Sequence, residues 1–323
     1  MKKIHFLLLL FLWNSCSTPS TESAEINAND KIPHISEGKE NPYLVVLGIA
    51  QDAGFPQADC KKDCCKDVWS DLTKRKMVSC LGLVNPKNEQ GYIFDATPDF
   101  KDQLNILQQD HSVNLNGIFL THAHIGHYTG LMHLGREAMG AKEVPVYAMP
   151  RMTNYLETNG PWSQLVSLKN IVLQPIENKK AVTFPNKISV TPLLVPHRDE
   201  FSETVGYLIN GKDKSALFIP DIDKWNKWEM DIDELINSVD IAILDGSFYK
   251  NGEIPGRDMS LIPHPFIEES MKRFERLSEK DKTKIYFIHF NHTNPVLQKS
   301  SSARKEVIAK GFRIADEGMV FEL

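Results

Sequence analysis

Phe119-Leu120-Thr121-His122-Ala123-His124-Ile125-Gly126-His127-Tyr128-Thr129-Gly130-Leu131 places three histidines within six residues, after the apolar run Gly117 to Leu120 and before a segment of helical character. The histidines therefore belong to a strand-to-helix loop, where an α/β fold carries its chemistry. His122 and His124, two apart in an extended stretch, turn their rings to the same side, and His127 faces a second position. Neutral imidazole is the commonest protein ligand for zinc and related ions. A lone histidine is more often a satisfied surface or core residue. Three at this spacing, joined by His197, Asp221 and His289 just past later apolar strands, point instead to a metal centre.

Outward from the loop, apolar runs of strand length recur on both sides. Tyr43 to Ile49, Ser79 to Val84 and Tyr92 to Ala96 precede it, the last closed by Asp95, and Asp99 to Gln109 reads as an amphipathic helix with Phe100, Leu104 and Leu107 on one face. Beyond it, Leu131 to Met139 is predicted as a helix, Ile188 to Val195 as a strand leading to His197, and Ala216 to Ile219 as a strand leading to Asp221. Asp223 to Val239 is predicted as a helix, with Trp225 and Trp228 as core anchors, and Ile241 to Leu244 as a strand ending at Asp245. A long loop, Ser247 to Pro265, carries His264, and strand Lys284 to Ile288 delivers His289. No repeat or linker interrupts residues 42–323, which are read as one catalytic domain.

The composition is that of an ordinary soluble globular protein, with 24% charged and 41% hydrophobic residues. A net charge of -5 gives no sign of a nucleic-acid partner. The N-terminus departs from this picture. Lys2 and Lys3 precede the apolar run Ile4 to Trp13, too short to span a membrane and suited to the core of a secretory signal. Ser15 then stands before Cys16, and residues 1–16 look like a bacterial lipoprotein signal in which Cys16 becomes the lipidated first residue of the mature protein. The plainer alternative is a cleaved signal peptide with an incidental cysteine. Residues 17–41, rich in Ser, Thr, Asn, Glu and Lys, read as a disordered tether. The expected location is the periplasmic side of a bacterial envelope, with the membrane reached through a lipid anchor at Cys16.

The histidine loop resembles the metallo-β-lactamase superfamily signature His-x-His-x-Asp-His, with Gly126 at the aspartate position. Gly54-Phe55-Pro56-Gln57, Asp245-Gly246-Ser247-Phe248 and Ile288-His289-Phe290-Asn291-His292-Thr293-Asn294-Pro295 narrow the resemblance to a branch. That branch holds the pyrroloquinoline quinone biosynthesis protein B family, the phosphoribosyl cyclic phosphodiesterase family and, more distantly, tRNase Z. The resemblance implies a four-layer αβ/βα sandwich with the metal at one edge between two sheets. It implies that His122, His124 and His197 hold one ion, that Asp221 bridges, and that His127 and His289 serve a second. The missing acid implies a weakly held second ion, a mononuclear site, or a substitute carboxylate among Asp245, Asp199 and Asp52.

Members of the branch carry a structural zinc on a cysteine cluster after the first strand, which would fall here on Cys60, Cys64 and Cys65; a disulfide is the competing reading in an oxidising compartment. Cys80, inside an apolar strand, reads as core. The expected activity is a metal-dependent hydrolase of a small ester or phosphodiester, phosphodiester slightly favoured, with zinc-bound hydroxide as nucleophile. Asp221 would position that nucleophile, and His264 or His292 would donate to the leaving group. The expected cofactor is one or two catalytic zinc ions with an additional structural zinc; iron or manganese stays open. Two other readings stand beside it: an iron-dependent oxygenase like the biosynthetic family, and a non-catalytic metal-binding lipoprotein.

Overall fold

The computed structural model describes residues 40–323. The lipoprotein-type segment, Cys16 and residues 17–39 of the tether lie outside the described residues.

The strands, in chain order, are β1 Tyr43–Gly48, β2 Cys80–Asn85, β3 Gln90–Phe94, β4 Asn114–Phe119, β5 Val144–Ala148, β6 Ile171–Pro175, β7 Val182–Phe184, β8 Ile188–Leu194, β9 Val205–Asn210, β10 Ser215–Ile219, β11 Ile241–Asp245, β12 Ile285–Ile288, β13 Arg313–Ile314 and β14 Val320–Glu322. Among the described residues they form two seven-stranded mixed sheets, ordered β14-β1-β2-β3-β4-β5-β6 and β13-β12-β11-β10-β9-β8-β7. The closing strand β14 returns to the first sheet beside β1.

The continuous apolar run of β1 follows from burial on both faces. Tyr43, Val45 and Leu47 pack with Phe100, Leu104 and Leu107 of the helix Phe100–Asp110 and with Met152 and Leu156 of the helix Pro150–Thr158. Leu44 and Val46 face the other way, into a core shared with Tyr207, Phe218 and Val190 of the second sheet. The outer face of that sheet is covered by Ile232 and Ile236 of the helix Ile232–Ser238, Ile267 and Met271 of the helix Ile267–Arg273, and Val307 of the helix Ser302–Ala309. Helix, sheet, sheet, helix is the four-layer order expected from the sequence.

Two predicted helices do not form as drawn. Leu131 to Met139 is a 3-10 segment Thr129–Leu134 followed by turns, preceded by one short helix Ile125–Tyr128. Asp223 to Val239 breaks into a 3-10 turn Trp225–Lys227 and the helix Ile232–Ser238. Trp225 and Trp228 are buried, and their indole N–H groups donate to Ser270 Oγ at 2.9 Å and to the Leu194 carbonyl at 2.6 Å. Asp231 accepts from the Asp233 N–H and starts the helix there.

Candidate metal centre

Each chemical residue stands where a strand runs out. β3 leads to Asp95, β4 to Thr121 and His122, β8 to His197, β10 to Asp221, β11 ends on Asp245, and β12 leads to His289. Within each sheet these strands share a direction through parallel or twice-antiparallel pairing, so their C-terminal ends gather on one edge. Asp95 and His289 turn off their strands through left-handed backbone, φ 70° and 66°. Such strain persists where surrounding structure fixes a side chain's aim.

The structure brings together His122, His124, His127, His197, Asp221, His289 and also His264. His122 Nε2 lies 2.8 Å from His124 Nδ1, and ligand atoms of both fall within 4.8 Å of one on His197. Asp221 sits between this trio and the remaining rings. Its Oδ2 is 3.0 Å from His127 Nε2, 3.1 Å from His289 Nε2 and 4.0 Å from His122 Nε2, and its Oδ1 is 3.8 Å from His197 Nε2. Asp52, on the loop after β1, brings Oδ1 to 3.3 Å from His127 Nε2. Asp199, another candidate substitute for the missing acid, accepts from Thr204 Oγ1 instead.

Proximity here is not hydrogen bonding. His127 Nε2, His289 Nε2, both ring nitrogens of His197 and Asp221 Oδ2 are buried and make no hydrogen bond. Leaving so many polar atoms unpartnered is costly unless something else binds them. Converging imidazole nitrogens around a carboxylate are the donor set of a zinc-type ion, so the residues present fit the metal that the sequence implies.

The electrostatics agree. Burial and the neighbouring imidazoles hold His122 well below the ordinary histidine range, and burial lowers His197 to about 4, so both are neutral and able to ligate. Burial alone would raise Asp221, but His289 and His127 hold it well below the carboxylate range. Burial alone would lower His127, yet the carboxylates of Asp95, Asp221 and Asp52 raise it well above its usual value; together they demand positive charge at this point.

The outward-facing ring atoms are tied to residues to which the sequence assigned no such positioning role. His127 Nδ1 bonds Asp95 Oδ2 at 2.7 Å, and His122 Nδ1 bonds Thr121 Oγ1 at 3.0 Å, whose hydroxyl donates to Asp95. His289 Nδ1 meets Ser247 Oγ at 2.9 Å, and that hydroxyl donates to Asp245 Oδ1 at 2.8 Å. His124 Nε2 lies 3.1 Å from Glu200 Oε2. Such outer partners fix the tautomer and aim of a ligating ring. Asp95 and Asp245 are fully buried at strand ends, and that placement was the one legible signal for them. Asp245 also holds His264 Nδ1 at 2.7 Å and is thereby engaged away from the vacant acid position.

His292, expected as a second proton donor, stands elsewhere. It groups with Cys60, Cys64 and Cys65, all four ligand atoms lying within 4.8 Å of one another. Its Nδ1 is buried without a partner. The cysteines are unbonded, with Cys60 Sγ 3.7 Å from Cys64 Sγ, so the structure contains no disulfide here. Three thiols and one imidazole are a four-ligand set of the kind that structural zinc takes. The helix Asp63–Ser70 carries Cys64 and Cys65, and Trp69 Nε1 donates to the Cys60 carbonyl at 2.8 Å. Replacing Cys60, Cys64 and Cys65 together by serine is expected to remove about one zinc per chain by elemental analysis and to increase proteolytic cutting in the Cys60 loop, with the histidine centre still loaded.

A family model described as Beta-lactamase superfamily domain matches residues 91–290. Coenzyme PQQ synthesis protein B of Methylorubrum extorquens (strain PA1) is 24% identical over 308 residues, covering 87% of this chain and all of the relative. The protein of the same name from Methylobacillus flagellatus is 26% identical over 308 residues, covering 86% of this chain and 98% of the relative. The structure of Zn(2+)-bound PqqB from Methylobacterium extorquens is similar with a TM-score of 0.73 at 23% identity, covering 87% of this chain and all of that one. A new diphosphatase from the PhnP family follows at 0.62 and 23%, covering 88% and 97%. Both the superfamily and the branch that the sequence resembles are thus found again, and the chain belongs to the beta-lactamase superfamily domain family.

Proposed function

We propose that this protein is a zinc-dependent hydrolase of a small phosphodiester or ester. The observation that supports the reading best is the set of buried, unpartnered donor atoms on His127, His197, His289 and Asp221 at one sheet edge. When bound there, the ion supplies Lewis acidity and acidifies water to a nucleophile at neutral pH. His122, His124 and His197 would hold one ion and His127 with His289 a second, with Asp221 shared between them.

The chain's own residues do the rest. Against the lowering effect of burial, the Asp245 and Asp221 carboxylates raise His264 above the ordinary histidine value. A ring protonated on both nitrogens can donate Nδ1–H to Asp245 and hand the Nε2 proton to a leaving oxygen, with Ser247 Oγ at 3.2 Å from the same Nδ1 steadying it. His264 ring atoms lie beside Asp221 and His197, with the Nδ1 3.5 Å from Asp221 Oδ1, so a substrate at the ions is within this residue's reach. The diphosphatase of the PhnP family among the structural neighbours favours the phosphodiester over the ester. Export and a lipid anchor at Cys16 belong to the same proposal, on the N-terminal sequence alone.

The test is turnover of a chromogenic aryl phosphodiester by protein purified without added metal, for wild type and His264→Gln. Wild type is expected to turn over, and the variant to lose about 10^2- to 10^4-fold in kcat with metal content unchanged. Iron as the native metal with no turnover would replace this reading by the oxygenase, for which the coenzyme PQQ synthesis relatives are the supporting observation.

A further inference from the structure

We infer that Asp52 supplies to the second ion the carboxylate that the histidine loop lacks at Gly126, the acid having moved from that loop to the one after β1. The inference rests on the metal-centre reading above, not on the reaction proposed for it.

Asp52 Oδ1 lies 3.3 Å from His127 Nε2 and 3.8 Å from His289 Nε2, and both of those nitrogens are buried without a hydrogen bond. Three ligand atoms from three separate segments therefore face one point, and Asp221 Oδ2 closes the set at 3.0 Å and 3.1 Å from the same two nitrogens. Two imidazoles and two carboxylates suit zinc or a similar divalent ion.

Gly126 explains why the acid sits where it does. A Cβ at position 126 would lie 2.5 Å from the Asp52 Cα and 2.6 Å from Asp52 Oδ1. The loop after β1 fills this corner with backbone as well as side chain and leaves no room for a side chain at 126. Glycine at 126 is thus the space that Asp52 occupies.

The β1 loop is also tied to the strand end that carries His289. The Gln51 N–H donates to the Phe290 carbonyl at 2.9 Å, the Phe290 N–H donates to the Ile49 carbonyl at 2.8 Å, and Asn291 Nδ2 donates to Gln51 Oε1 at 2.5 Å. The residues just before Asp52 thereby fix it relative to His289, as a ligand must be.

The experiment counts ions and measures their affinity with zinc and a chromophoric competing chelator, on wild type and Asp52→Asn, with the melting temperature of each measured in excess chelator. Wild type is expected to hold two ions at the histidine centre. Asp52→Asn is expected to lose one of them, or to weaken it by at least about 100-fold, while the melting temperature of the chelated protein stays put. Wild-type stoichiometry and affinity in Asp52→Asn, or one ion only in wild type, would overturn the inference. Two ions with no turnover of any ester would sink the hydrolase reading and leave this one standing; turnover with the second ion indifferent to Asp52 would do the reverse.

Discussion

Asp221→Ala is expected to strip the histidine centre of metal and to lower phosphodiester turnover to background. Asp221 is the one carboxylate that lies between both histidine groups, within about 4 Å of ring nitrogens on His122, His127, His197 and His289. Its side chain is almost wholly buried, so no solvent replaces the lost charge. Removing one partner from a buried ionic cluster typically costs about 3–5 kcal/mol. At about 1.4 kcal/mol per tenfold, that is about 10^2- to 10^4-fold in metal affinity. Titration with zinc against a competing chelator reads the affinity, and elemental analysis of the isolated variant reads the occupancy. A variant that kept its ions and lost only turnover would show Asp221 to be a positioning group alone. One that kept both would remove it from the centre.

The second large effect falls on stability and does not need the metal. Asp95 accepts from the Thr121 N–H at 2.7 Å, from Thr121 Oγ1 at 3.0 Å and 2.9 Å through its two oxygens, and from His127 Nδ1 at 2.7 Å. It is fully buried. Asp95→Ala strands the Thr121 backbone donor and the His127 ring N–H, each unsatisfied donor costing about 1–3 kcal/mol. Its left-handed backbone, φ 70°, adds to the strain of an alanine there. The expected result in excess chelator is a melting temperature roughly 10 °C below wild type. Asp95→Asn separates the two roles of the residue. Asparagine tolerates the left-handed backbone and keeps one acceptor for Thr121, so most of the stability should remain. The amide holds His127 less firmly, so zinc affinity should still fall by about 10- to 100-fold. An Asp95→Ala protein that melts like wild type would show that Thr121 finds another acceptor.

The residues of the candidate centre were legible because most follow an apolar run of strand length, and a strand end is where a side chain leaves the sheet. His197, Asp221 and His289 needed no more than that. His264 was readable only as a histidine in a long loop, since its place depends on Asp245, and no local pattern pairs residues so far apart in sequence. His292 depends on a distant pairing of the same kind. It is three residues from His289 but turns toward sulfurs contributed by the segment after β1. The helix expected over Leu131 to Met139 failed on packing. A Cβ at Gly130 would come within 2.1 Å of the Thr97 carbonyl, so the chain hugs the end of β3 there in a tight 3-10 course. The helix expected over Asp223 to Val239 starts only at Ile232, because Asp231 caps it there with Glu234 three residues on, a signal present in the sequence. Gly126 marked a missing acid but could not reveal its replacement, because the contact with Asp52 joins two loops that only the tertiary fold brings together.

The gathering of strand ends from both sheets bears on how the protein persists once made. No short stretch of the chain holds the whole centre: the histidine loop comes from one sheet, and His197, Asp221 and His289 come from the other. An unfolded chain therefore offers the ion at most a fragment of its site, and the complete set exists only after the two sheets have docked. Contacts that form after the folding barrier leave the rate of entry nearly untouched and slow the rate of escape. An ion held across the two sheets would then act as a latch, slowing escape from the fold more than it speeds entry.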